Sequence, residues 1–149
     1  MSLTLVVGGA RSGKSRFALS LAAAHGPRLG FIATLLPLTD EVASECRKLR
    51  AERQDAFVTW EEPVRVIELI AAHAEYFDSL VVDCFTGWLR NLAACNEGQD
   101  LALAAERFAD IAQQAPAQII AVSTEAPAAL AESAAQIFQM NEGLPVRVK

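Results

Sequence analysis

Short unbroken apolar runs alternate along the chain with longer stretches in which apolar residues recur every three or four positions. Leu3–Val7 is apolar, rich in β-branched residues and stopped by Gly8 and Gly9, which predicts a strand buried on both faces, as in a parallel sheet. Over residues 13–25, Phe17, Ala18, Leu21 and Ala22 recur at helical spacing before Gly26-Pro27 stops the pattern. The alternation continues with a strand at Leu29–Ala33, a charged helix at Asp40–Arg53, a strand at 57–60 and a helix at 64–76 with Pro63 at its start. A buried strand at 80–82 precedes a helix through Trp88 and Leu92, an alanine-rich helix at 100–114 and a strand at 119–122. An alanine-rich stretch at 127–135 then leads to two apolar segments, 137–140 and 144–148, which read as a hairpin around Asn141-Glu142-Gly143.

This succession predicts an α/β fold with a mainly parallel sheet flanked by helices and a C-terminal β-hairpin. Ligands of such sheets bind at the carboxyl ends of the strands, here after Val7, Ala33 and Val82. With 149 residues and no repeat, Ser/Gly linker or long charge block, residues 1–149 are expected to form a single nucleotide-binding domain.

Composition removes several function classes. A chain 52% hydrophobic and 21% charged has ample material for a packed core and does not read as disordered. Its formal net charge of −5 provides no basic field for nucleic acid or an anionic membrane, so neither is expected as a partner. No apolar run approaches the roughly 20 residues that span a bilayer. Three cysteines without metal-ligand spacing suggest neither a disulfide framework nor a zinc site, and a reducing cytoplasm is the expected location.

The most specific chemistry lies in Gly8-Gly9-Ala10-Arg11-Ser12-Gly13-Lys14-Ser15, which satisfies G-x-x-x-x-G-K-[ST] between a buried strand and an amphipathic helix. Such a loop turns consecutive N–H groups toward phosphate oxygens, and the helix N-terminus adds roughly half a positive charge. In a P-loop NTPase of this kind Lys14 would reach the β and γ phosphates of ATP or GTP, and the Ser15 hydroxyl would ligate Mg2+. Asp83, ending the strand at 80–82, is the expected carboxylate supporting the metal, or else an N-cap for the next helix. Lys14 and Asp83 are therefore the candidate catalytic residues. Glu61 and Glu62 read either as partners of a ribose hydroxyl or magnesium water, or as favourable charge at the next helix N-terminus.

These residues resemble the bifunctional adenosylcobinamide kinase and adenosylcobinamide-phosphate guanylyltransferase family of cobalamin biosynthesis. The loop 8–15 is similar to that family's P-loop and Phe31-Ile32-Ala33-Thr34 to its second strand. Asp40-Glu41 and Thr59-Trp60-Glu61-Glu62-Pro63 resemble its next segment. Asp83-Cys84-Phe85-Thr86-Gly87-Trp88-Leu89-Arg90-Asn91-Leu92 resembles the stretch after its Walker B strand, and Gly143-Leu144-Pro145-Val146-Arg147-Val148-Lys149 its ending. The resemblance implies phosphorylation of the aminopropanol hydroxyl of adenosylcobinamide by ATP or GTP, then transfer of GMP from GTP to that phosphate. It also implies a homo-oligomer, a trimer, which would cover exposed sheet edges and the hairpin.

The chain departs from that family twice. Where the family carries a histidine that takes GMP covalently, this chain reads Cys46-Arg47-Lys48-Leu49-Arg50, and neither His25 nor His73 matches the position. Where the family continues after Ser123-Thr124-Glu125 with a glycine-rich loop and a polar helix, this chain runs through residues 126–134 straight to the hairpin. The cations Arg47, Lys48 and Arg50 could meet phosphate, or form a solvated face balanced by Glu45 and Glu52. Thr86 and Asn91 could line the site or serve local structure, and Trp60 and Trp88 could stack on a ligand or anchor the core. Two other functions stay open: a degenerate nucleotide-binding paralogue with a regulatory or structural role, and a P-loop kinase for another small molecule.

Overall fold

A computed structural model describes residues 2–35 and 39–149, apart from the side chains of Leu49, Glu52 and Gln54. The elements follow in the order β1 (Leu3–Val7), α1 (Lys14–Ala24), β2 (Leu29–Ala33), α2 (Asp40–Arg53), β3 (Phe57–Glu61), α3 (Val66–His73), β4 (Ser79–Asp83), α4 (Phe85–Cys95), α5 (Leu101–Gln114), β5 (Gln118–Ser123), α6 (Ala128–Ser133), β6 (Gln136–Asn141) and β7 (Leu144–Arg147). The strands form one sheet in the order β3-β2-β4-β5-β1-β6-β7, parallel except for the final antiparallel β6–β7 pair. The expected α/β architecture and the terminal hairpin are both present.

Strand parity divides the core in two, because successive side chains point to opposite faces. Val6, Phe31, Val81, Ile120 and Val122 pack with Ala18 and Ala22 of α1, whose small side chains let that helix approach β4 and β5 closely. Leu5, Ile32, Leu80, Val82 and Ile119 face the opposite layer, where Val66, Ile70, Phe85, Trp88, Phe108 and Leu130 close the larger core.

The helix expected over 64–76 is shorter than its apolar pattern. Arg65 has non-helical backbone angles, the Glu62 carboxylate accepts hydrogen bonds from the Val64 and Arg65 N–H groups, and the last turn tightens to 3₁₀ geometry over Ala74–Tyr76. The crossover from β5 to β6 contains only the six-residue α6. Among the described residues no helix is long and apolar enough to cross a membrane.

Candidate active site

β1 runs into the phosphate loop, and its route through α1 to β2 passes over β5 and β4, leaving a crevice at the strand ends where ligands of such sheets lie. The loop is pinned by the Gly8 N–H donating to the Ser123 carbonyl (3.1 Å) and the Ser12 N–H to the Gly9 carbonyl (3.3 Å). Arg11 and Gly13 take left-handed backbone angles, with φ of 61° and 83°. A side chain at Gly8 would collide with Ser12 Oγ, so only glycine lets the loop close there.

Three features of this loop fit an anion. Gly13 caps α1 without a side-chain hydrogen bond, so the first amides of the helix lack side-chain acceptors. Ser12 Oγ is buried with no hydrogen-bond partner, a cost a ligand oxygen would remove. Lys14 Nζ donates to the Gly9 carbonyl at 3.0 Å, which folds the ammonium back over the loop.

Register and parity bring Asp83 to Ser15. Glu61, Ala33, Asp83 and Val122 lie in one row across β3, β2, β4 and β5. Asp83 is two residues after Val81, so it points toward the α1 face. Ser15 Oγ donates to Asp83 Oδ2 at 2.6 Å although 68 residues separate them. Burial pushes the Asp83 carboxyl above its ordinary range, opposed by the Ser15 hydrogen bond and by the charges of Lys14 and Arg53. The N-cap of α4 is Cys84, whose sulfur accepts from the Gly87 N–H at 3.2 Å, so Asp83 is left free of that duty. A hydroxyl and a carboxylate beside a phosphate cradle suit Mg2+, which is commonly held by one or two protein oxygens together with substrate phosphates.

The second expected acidic residue, Glu61, shares a pocket with Asp83 against α2. Its walls include Phe31, Ala33, Leu35, Cys46 and the arginines 50 and 53. Glu61 accepts from Arg50 Nη1 at 3.2 Å, and both side chains are exposed. Glu62 instead caps the turn into α3. Arg47 and Lys48 are exposed and do not line this pocket, whereas Cys46, Arg50 and Arg53 share the inward face of α2 at helical spacing. Helical periodicity from Cys46 would have identified Arg53, which the reading of the charge cluster passed over. Burial raises the Cys46 thiol, with Glu61 adding to the effect, so it is held as the neutral thiol. The side chain of Glu52, expected to balance the cations, lies outside the described residues.

Polar residues behind the site tie its loops together. Thr34, fully buried, donates to the Cys84 carbonyl (2.8 Å) and accepts from the Cys84 N–H (2.9 Å). Asn91 donates to the carbonyls of Thr34 (2.8 Å) and Pro63 (2.9 Å), while Thr86 meets Thr124 at 3.3 Å. Asn91 thus holds the loops after β2 and β3 rather than lining the pocket. Trp88 is buried against Phe85 and Phe108, and Trp60 packs on His73 and Phe77, so both tryptophans are anchors. His25 is exposed where α1 ends, away from the phosphate loop.

Fold and loop together define a P-loop NTPase fold. Consistent with this, the RadB recombinase superposes with a TM-score of 0.61 over 98% of this chain and 86% of its own, at 18% identity. Residues 4–144 match the family described as cobinamide kinase / cobinamide phosphate guanyltransferase, and the chain belongs to that family. The bifunctional adenosylcobalamin biosynthesis protein CobP of Pseudomonas aeruginosa is 39% identical over 121 residues, covering 81% of this chain and 70% of that protein. The bifunctional adenosylcobalamin biosynthesis protein CobU of Salmonella typhimurium is 32% identical over 137 residues, covering 83% and 75%.

Proposed function

We propose that this protein is an adenosylcobinamide kinase that transfers the γ-phosphoryl group of ATP or GTP to the substrate hydroxyl and has lost the guanylyltransferase step. The observation that carries the kinase half is Ser15 Oγ at 2.6 Å from Asp83 beside an uncapped, anion-ready phosphate loop. In this reading the amides of residues 8–15 and Lys14 hold the triphosphate, Ser15 and Asp83 hold Mg2+, and Glu61 borders the nucleotide site. The cation, when bound, neutralises charge on the transferred phosphoryl group. The acceptor oxygen bonds to the γ-phosphorus as its hydroxyl proton passes to solvent water, the bond to the β-phosphate oxygen breaks, and the nucleoside diphosphate remains in the loop until it is released.

Loss of the second step is supported by α2, which offers Cys46, Lys48 and Arg50 where the family carries its histidine. Lys48 points away from the pocket and Cys46 is held as a neutral thiol, so neither is an activated nucleophile. Incubation with adenosylcobinamide, Mg2+ and either triphosphate, followed by mass analysis, tests both halves. Phosphorylated cobinamide with no GMP adduct on the protein is expected, and Lys14→Ala should abolish it. Nucleotide binding without either product would leave a degenerate binding protein instead.

A further inference from the structure

The turn of the terminal hairpin rests on the phosphate loop. β6 pairs with β1 from Thr4–Gln136 to Val7–Gln139, so the two strands end side by side, the loop following one and the turn the other. A Cβ at Gly13 would touch Gly143 Cα and Met140 Cε, both at 3.7 Å, and one at Gly8 would come within 3.0 Å of Met140 Cβ. Glu142 and Gly143 form a two-residue turn between the paired Asn141 and Leu144, with φ of 51° and 81°. Glycine, asparagine and aspartate adopt this left-handed turn readily, whereas glutamate gains no local hydrogen bond from it. The Glu142 side chain is exposed and makes no hydrogen bond or ion pair among the described residues.

Sheet order fixes which end of a nucleotide meets this turn. Ser15 and Asp83 mark the β4 side of the loop, where the expected cation would bridge the β- and γ-phosphates. β6 flanks β1 on the side opposite β5 and β4. A triphosphate with its γ end beside Asp83 therefore carries its nucleoside toward the hairpin turn. An ionised carboxylate only accepts hydrogen bonds. The Watson–Crick edge of guanine offers it adjacent donors, N1–H and the N2 amine, whereas adenine sets an acceptor, N1, beside its single amine.

We infer that the hairpin turn is the nucleoside-binding wall of the phosphate-loop site, and that Glu142 selects guanine over adenine there. The inference rests on the kinase reading for the phosphate end of the nucleotide and deepens it by naming the base; the binding itself needs no turnover.

Calorimetric titration of the full chain with GDP, IDP and ADP in Mg2+ reads the base preference. GDP should bind about tenfold tighter than ADP, with IDP, which lacks the N2 amine, between them. In Glu142→Gln and Glu142→Asn the three Kd values should converge. Glu142→Asn suits the turn and should keep or raise the thermal midpoint, which separates lost recognition from lost folding. Lys14→Ala should weaken all three nucleotides together. Photolabelling with 8-azido-GDP, mapped by peptide mass, should mark residues 136–149 and fade in Lys14→Ala. A label confined to residues 40–61, equal Kd values for GDP and ADP in the wild type, or a GDP preference that survives both Glu142 variants would overturn the proposal and leave the phosphate loop intact. Binding of no nucleotide would overturn the phosphate-loop reading with it. GDP preference and the expected label without phosphorylated cobinamide would support the role of the turn and sink only the kinase reading.

Discussion

Asp83 has two opposed roles. In the proposed kinase its carboxylate would hold Mg2+ beside Ser15, yet burial raises its pKa above the ordinary 3.8. A carboxyl whose folded pKa is raised favours the fold while protonated, and that contribution is lost as pH rises through the folded value. Asp83→Asn should therefore raise the thermal midpoint of the nucleotide-free protein near neutral pH. The gain should shrink as acid protonates the wild-type carboxyl, and magnesium-dependent turnover should be lost at every pH. A neutral-pH midpoint below wild type would mean that attraction to Lys14 and Arg53 outweighs desolvation. Lys14, Ser15 and Asp83 are named as candidates by motif and strand-end position alone, and the structure places them together at the phosphate loop. Arg53 is not, because its place in the pocket comes from burial against Phe31, which a charge pattern does not record.

Among the elements, α4 connects the Asp83 carboxylate to the larger core. It starts just after Asp83, and its Trp88 packs against Phe85 and Phe108 while its indole N–H donates to the Val64 carbonyl at 2.7 Å. Trp88→Phe keeps most of the apolar contact but leaves that carbonyl unpaired and a small void, a loss of about 2 kcal/mol. A chemical-denaturation midpoint that falls accordingly, with an unchanged slope, is the expected result; an unchanged midpoint would show that water replaces the bond. Apolar periodicity placed α4 correctly, as it did α1, α2 and the hairpin. It overran the start of α3, because the Glu62 carboxylate captures the Val64 and Arg65 amides and holds them outside the helix.

For the molecule as a whole, the sheet ends on β7, where Leu144, Val146 and Val148 alternate with 69%, 45% and 61% exposure. Alternate residues share one face of a strand, and Pro145 removes an edge N–H, so a partner would cover this apolar face rather than extend the sheet. A homo-oligomer is the expected state, with Val146→Lys shifting it toward monomer in sedimentation velocity; a wild-type monomer at all concentrations would refute this. The amino-acid sequence by itself determined the α/β alternation, the phosphate loop and the family, because these depend on local periodicity and on residue types at fixed spacing. Only the tertiary structure decided that Ser15 meets Asp83, that Glu61 joins the pocket while Glu62 caps the turn before α3, and that Arg53 is buried while Lys48 is exposed. Those outcomes depend on sheet order, register and side-chain parity, which bring together residues that no sequence window contains.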